Sequence, residues 1–562
     1  MTSDKKTISL LADLFVKKGL RHIVISPGSR NAPIILAFAN HPKINAISVV
    51  DERSAAFFAL GMAQQTGKTV AIACTSGSAV LNYASAIAEA FYQKIPLLVL
   101  TADRPPKLID VGDGQTIRQE NVFANIIKKS YQLPLDVNSD EDLKDVNRQL
   151  NEAIYFTQFP EAGPVHVNIP FDEPLYDVVS DGPMATALNF EENNKEISGN
   201  TEADFLDDWH NSRKVMLIAG QNQYPNQINE LLIKISEEKQ VVVLTETTSN
   251  LSHPGFIDCI DNVLTAIDET ESVNFQPDML VTLGGAVVSK KIKKYLRQYR
   301  PKIHWHLSPS GEKRDTYLCL NHNPAIHPIP FLEKILPQLS KASTEYLQLW
   351  MNRKKQVEIL RRQYLSQVSW SDLKVFDILF KNIPQHSMLH LGNSTPVRYS
   401  QLFGSLSHFK YFSNRGVSGI DGQLSTAAGS AYANRDLHTI ITGDMGFFYD
   451  SNALMNHNLR SNLKIIVINN GGGGIFRFIP GPDSSNQLEK FFEAKHSWKA
   501  GLIAKAFDIN YFKAEDEKEL RDVLSLFYAE ASRPALLEII THAEANAQIL
   551  RDYFSFLKIS SH

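Results

Sequence analysis

The chain has 562 residues, too many for one core, because single hydrophobic cores stop growing near roughly 250–300 residues. Hydrophobic residues make up 43% and charged residues 21%, the balance of a soluble globular protein. A net charge of −4 without a sustained basic stripe argues against nucleic acid as a partner.

At the N-terminus, MTSDKKTISLLADLFVKKGL spaces its apolar residues as an amphipathic helix interrupted by Asp13, Lys17 and Lys18, unlike a signal peptide. Through residue 180, short apolar runs alternate with helical segments: HIVIS, AISVV, VAIACTS and PLLVLTA as strands, then GPVHVNIP as a late strand. Such alternation predicts a parallel sheet covered on both faces. Residues 181–212 are polar and aperiodic, a linker. A second unit, 213–340, has KVMLIAG, VVVLTET, DMLVTLGG and IHWHLS as strands, and 341–368 is a charged helical connector. A third unit, 369–562, has SMLHLG, HTIITG, LKIIVIN and ALLEIIT as strands. The expected fold is α/β, with three open, mostly parallel, doubly wound domains. The basic stretches SKKIKKYLRQYR and NRKKQVEILRRQ are expected as solvated helix faces. Cys74, Cys259 and Cys319 show no metal spacing and fit a reducing cytoplasm. No run of about 18 apolar residues offers a membrane span.

Ligands of open α/β sheets sit beyond the carboxyl ends of strands. Two features of the third unit meet that condition: Asp444 follows HTIITG, and Asn470 follows KIIVIN, 26 residues later. One helix fits between them, so both side chains converge at one end of a parallel sheet. An Asp carboxylate, an Asn carbonyl and the backbone carbonyl of Gly472 are hard oxygen ligands suited to Mg²⁺, with Mn²⁺ as the alternative. Glycines 471–474 let backbone approach a diphosphate closely. Each feature alone is explained by an ordinary turn; the pair at this spacing is not. In the first unit, Glu52 of DERSAAFFALG lies at a strand's carboxyl end and a helix start, where it either complements the helix dipole or serves as an acid–base group.

Gly443-Asp444, with Asn469-Asn470 some two dozen residues on, resembles the cofactor motif of thiamine-diphosphate enzymes. Met445 departs from it, since the family usually has glycine there. Gly112-Asp113-Gly114 matches the motif's first half better but follows no strand and has no Asn-Asn partner. The resemblance implies that Glu52 shares a proton with the cofactor's aminopyrimidine. It also implies a pyrimidine domain, a central domain and a diphosphate domain, with the cofactor bridging two subunits of a homodimer, or of a dimer of dimers. Water exclusion and a raised pKa are expected at Glu52.

A finer resemblance covers the whole chain. SPGSRNAP (26–33), DERSAAFFALG (51–61), TSGSAVLN (75–82), TADRPP (101–106), GQTIRQ (114–119), GNSTPVR (392–398), SNRGVSGIDG (413–422) and NNGGGGIF (469–476) together are similar to the 2-succinyl-5-enolpyruvyl-6-hydroxy-3-cyclohexene-1-carboxylate synthase family of menaquinone biosynthesis. That resemblance implies 2-oxoglutarate and isochorismate as substrates, both multiply anionic. It offers Ser29, Arg30, Arg104, Gln115, Lys290, Arg398 and Arg415 for substrate, with Ile475 and Phe476 beside them. It offers Ser394, Gly419, Ile420 and Ile475 for the cofactor. Arginine suits such substrates because its fork binds carboxylates bidentately and stays charged. The residues before Gln115 depart from the family's pattern.

Overall fold

The computed structural model describes residues 1–190, 199–221, 225–478, 481–484 and 486–559. Three parallel sheets follow one another along the chain. The first orders its strands Asn45–Ser48, His22–Ile25, Val70–Cys74, Leu97–Asp103, Val165–Pro170 and Lys129–Gln132. The third orders Lys410–Phe412, Met388–Leu391, His438–Gly443, Leu463–Asn469, Ala535–Ile540 and Asn510–Ala514. Numbered within each sheet, both run second, first, third, fourth, sixth, fifth, so the two outer units share one topology. The crevice of such a sheet opens where strand order reverses, between its first and third strands. The central sheet has four strands: Val242–Thr245, Val215–Ala219, Met279–Leu283 and Ile303–Leu307. All pairings within these sheets are parallel; an antiparallel pair, Thr2–Ser3 with Val178–Val179, stands apart.

The middle strands of the outer sheets, Leu97–Asp103 and Leu463–Asn469, are buried along their whole length. Their largely apolar sequence follows from helices covering both faces. Among the described residues, the expected strands all form. Three further strands, Lys129–Gln132, Lys410–Phe412 and Asn510–Ala514, complete the sheet edges. The segment expected as a linker is partly a helix, Gly199–His210, whose Phe205 and Trp209 are buried in the central core; 191–198 lies outside the described residues, as do 222–224, 479–480, 485 and 560–562. Polar composition hid that helix because only one of its faces is apolar. Residues 341–368 hold the helix Thr344–Gln367.

The first and third units share one core. Phe57, Phe58 and Leu60 of the helix Glu52–Thr66 pack with Leu424, Ala427 and Ala428 of the helix Gln423–Ala433. The helices cross so closely that a Cβ on Gly61 would stand 1.9 Å from the Thr426 carbonyl oxygen, and one on Gly429 1.9 Å from that of Phe58. No helix among the described residues is long and apolar enough to cross a membrane.

Candidate active site

Parallel pairing places Gly443 opposite Ile468, so Asp444 and Asn470 leave neighbouring strands side by side. Asp444 is 2% exposed. Gly471 and Gly472 donate their backbone N–H groups to its Oδ2, both at 2.9 Å, and Met445 N–H donates to Oδ1 at 2.6 Å. Met445 therefore serves Asp444 through its backbone, which any residue supplies. The glycine the turn requires is the next one: a Cβ on Gly446 would lie 2.9 Å from Thr442 Oγ1. Asn470 donates from Nδ2 to Asp372 Oδ2 at 3.3 Å, while its Oδ1 is buried without a hydrogen-bond partner. A buried carbonyl oxygen without a donor, beside a fixed carboxylate, fits a hard cation. Gly472 has φ +150°, and a Cβ there would stand 2.6 Å from the Glu493 carbonyl oxygen, so only glycine fits. Its own carbonyl accepts from Gly474 N–H at 2.9 Å, leaving a second lone pair. His496 Nε2 lies 3.4 Å from Asp444 Oδ2, with the ring stacked on Trp498.

Around this pair, three loops are tied by one side chain. Asn393 donates to the carbonyls of Asn414 and Gly419, both at 2.6 Å, and accepts from Arg415 at 2.7 Å. Gln423 donates to Gly419 O at 3.0 Å, and the Ile420 carbonyl approaches Gly446. Ser394 holds φ +74°, an unusual conformation for a side-chain-bearing residue. Ile475 and Phe476 occupy the turn after the glycines, half-buried, the Phe476 ring against Gly473.

Arg415 is buried and Arg398 half-buried, and the Nε of each lacks a hydrogen-bond partner. Burial lowers the pKa of each, and the Arg398 charge lowers that of Arg415 further. Two desolvated cations that repel one another favour an anion between them. Lys290 opens the helix Lys290–Gln298 exposed, and the lysine within electrostatic reach of both arginines is Lys293, one turn on.

The first unit gathers a second set at the carboxyl ends of its strands. Ser29 sits in the turn after His22–Ile25, and Arg30, 5% exposed, donates to Phe171 O at 3.1 Å and pairs with Glu173 at 3.2 Å. Burial, then the nearby Arg104 charge, lowers its pKa. Arg104 reaches Asp113 at 3.6 Å, so the Gly112-Asp113-Gly114 segment belongs to this arginine pair rather than to a diphosphate. Gln115, at φ +55°, accepts from Ser76 Oγ at its carbonyl. Glu52 accepts from Asn82 at 3.3 Å and is partly exposed, between the exposed Val50 and Leu81. The dry surroundings expected for it are not supplied by its own chain. Burial, and then its charge, push the Cys74 thiol upward. Its neighbours Asp51 and Arg53 bond to Asn452 and Tyr449, at the far end of the helix that Asp444 begins.

Among the described residues, no hydrogen bond or ion pair joins Glu52, Arg30, Arg104 or Gln115 to Asp444, Asn470 or Arg415. Asn393, Asp372, His496, Glu89 and Lys293 were not singled out by sequence. Asn393 alone had a usable signal, its place inside GNSTPVR.

Outer sheets of one topology, each with a site at its carboxyl edge, define the thiamine-diphosphate class. Residues 5–126 match the N-terminal TPP binding domain of thiamine pyrophosphate enzymes, 185–391 their middle domain, and 392–539 their C-terminal TPP binding domain. The 2-succinyl-5-enolpyruvyl-6-hydroxy-3-cyclohexene-1-carboxylate synthase of Flavobacterium johnsoniae is 43% identical over 542 residues, 96% of this chain and 97% of the relative. Those of Porphyromonas gingivalis and Bacteroides thetaiotaomicron are each 38% identical, over 100% and 99% of this chain and 98% and 100% of theirs. The chain belongs to this synthase family of thiamine-diphosphate enzymes.

Proposed function

We propose that this chain decarboxylates 2-oxoglutarate and adds the four-carbon unit in 1,4 fashion to isochorismate. The products are 2-succinyl-5-enolpyruvyl-6-hydroxy-3-cyclohexene-1-carboxylate and CO₂, in menaquinone biosynthesis. The observation that carries this reading is a pair of arginines with unpartnered Nε atoms, buried Arg415 and half-buried Arg398, in the same unit as the cation-ready pair of Asp444 and Asn470.

Asp444, Asn470 Oδ1 and the Gly472 carbonyl would hold Mg²⁺, or Mn²⁺, and glycines 471–474 would let backbone approach the cofactor's diphosphate. Ser394, Gly419, Ile420 and Ile475 line the cofactor. Thiamine diphosphate supplies the electron sink that makes loss of CO₂ feasible. Glu52 would hold the proton exchanged with the cofactor's aminopyrimidine. Arg398, Arg415 and Lys293 with Lys290 bind carboxylates from the third and central units; Ser29, Arg30, Arg104 and Gln115 do so from the first, with Phe476 as an apolar wall. Guanidinium groups keep their charge through this chemistry, so they orient anions without exchanging protons.

The chain works as a homodimer or a dimer of dimers. Glu52 lies partly exposed between Val50 and Leu81, 55% and 50% exposed, an apolar rim that a second copy's third unit covers. That contact excludes water from Glu52 and brings the two residue sets together.

Incubation of the Mg²⁺- and thiamine-diphosphate-loaded protein with both substrates tests the assignment. The expected result is the succinylated cyclohexene product with stoichiometric CO₂. Release of succinic semialdehyde at the same rate without isochorismate would assign a simple decarboxylase instead.

A further inference from the structure

The turn that carries Arg415 is not held by its own unit alone. Glu89, 2% exposed, projects from the first unit's helix Ala84–Gln93. Its Oε1 accepts the Gly416 N–H at 2.6 Å and its Oε2 the Val417 N–H at 2.7 Å, the two amides directly after Arg415. Gln93, one turn later, bonds the Glu89 carboxylate and donates to Ser413 O at 3.1 Å; Gln221 of the central unit donates to the same carbonyl at 3.1 Å. The backbones also touch: a Cβ on Gly416 would stand 2.6 Å from the Glu89 carbonyl oxygen. Residues 413–417 are thus gripped from outside, while Arg415 points inward to Asn393 with its Nε unpartnered.

A buried carboxylate with several donors is an expensive way to fasten a loop. A neutral amide would accept from only one of the two N–H groups, so the double grip on the turn needs both carboxylate oxygens. The charge has a second use here: after that of Glu246, it opposes the repulsion that Arg398 exerts on Arg415. We propose that Glu89 is a positioning residue for Arg415, fixing its turn and balancing its charge so that the guanidinium stays aimed at a substrate carboxylate. This rests on the reading of Arg415 as a substrate ligand. It makes carboxylate recognition in the third unit dependent on the first.

Substituting Glu89→Gln tests it. The amide oxygen keeps one backbone donor, but the NH₂ group meets the other donor head-on. Steady-state kinetics on the full-length enzyme, saturated with thiamine diphosphate and Mg²⁺, should show KM for one anionic substrate raised at least about tenfold, a loss of the size expected for one charged hydrogen bond. kcat should stay within about threefold, and cofactor affinity by fluorescence titration should be unchanged, since the metal pair is untouched. Arg415→Ala should raise the same KM, and the double variant should be no worse than Arg415→Ala alone, because Glu89 acts through Arg415. Multiplying effects in the double variant, or an unchanged KM in Glu89→Gln, would overturn the inference while leaving Arg415 as a ligand. An unchanged KM in Arg415→Ala would overturn both. If Glu89→Gln does not fold, Gly416→Ala displaces the same turn and is judged by the same criteria.

Discussion

Asn470 donates to Asp372 at 3.3 Å, and that contact decides which atom of the amide faces the candidate cation site. A flipped amide would set its oxygen against the Asp372 carboxylate, so the NH₂ group faces Asp372 and Oδ1 is left buried without a partner. Asp372 is itself buried and held by Thr541 and by Asn546, far along the chain. Removing a partner that orients a metal ligand typically costs 10–100-fold in metal affinity. Asp372→Ala should therefore raise the Mg²⁺ concentration for half-maximal activity by at least about tenfold, with saturated kcat largely retained. An unchanged Mg²⁺ titration would detach Asp372 from the site.

Glu52 carries a different prediction, because its role is proton transfer rather than binding. Glu52→Gln keeps a hydrogen-bonding side chain of the same length at the start of its helix. Turnover should fall by at least about 10²-fold, the lower end of a lost acid–base contribution. Cofactor affinity, read by fluorescence, should change little. Wild-type turnover in this variant would remove Glu52 from the mechanism.

What the sequence showed and what it hid divide along a physical line. Strands buried on both faces announce themselves as apolar runs, and every one was recognisable. Within the three parallel sheets, the strands not foreseen are all edges with polar residues: Lys129–Gln132, Lys410–Phe412 and Asn510–Ala514. Edges are short and carry charge against aggregation, which erases the apolar signal. The site divides likewise. Asp444 and Asn470 were legible because strand ends place them. Glu89 meets Gly416 across 327 residues, and Lys293 feels the charges of Arg398 and Arg415 across a domain boundary. No local pattern encodes such contacts.

The crossing of the first and third units at Gly61 and Gly429 yields a prediction about assembly. Gly→Ala inside a helix ordinarily stabilises by up to about 1 kcal/mol. Here an added methyl at Gly61 meets a backbone carbonyl at 1.9 Å, which cannot rotate away as a side chain would. The Ser430 hydroxyl also donates to the Gly61 carbonyl at 3.0 Å, tying the same crossing. Overpacking of this kind costs roughly 1–3 kcal/mol. Gly61→Ala should lower the thermal midpoint and increase proteolysis between the units; a raised midpoint would mean the helices separate without penalty.

Glu246 supplies a pH dependence whose sign can be worked out. It follows the central unit's edge strand Val242–Thr245 and accepts backbone N–H groups from Val288 and Ser289 at 2.6 and 2.7 Å. Burial pushes its carboxyl from 4.5 up to about 7, against those two donors; Asp261 adds to the rise and Lys293 opposes it. Arg398, Arg415 and Tyr317 are the other ionisable groups that feel it. A raised folded-state pKa means that the native chain holds a proton the unfolded chain has released. Stability from this group is therefore full below about 4.5, declines as pH rises toward about 7, and is flat above. Glu246→Gln cannot titrate, so its unfolding midpoint should lack this component of the decline. Urea unfolding of both proteins at pH 5, 6, 7 and 8 reads the difference directly. The wild-type advantage should shrink steadily from pH 5 to 7 and then hold, whereas parallel profiles across the range would place the Glu246 titration elsewhere.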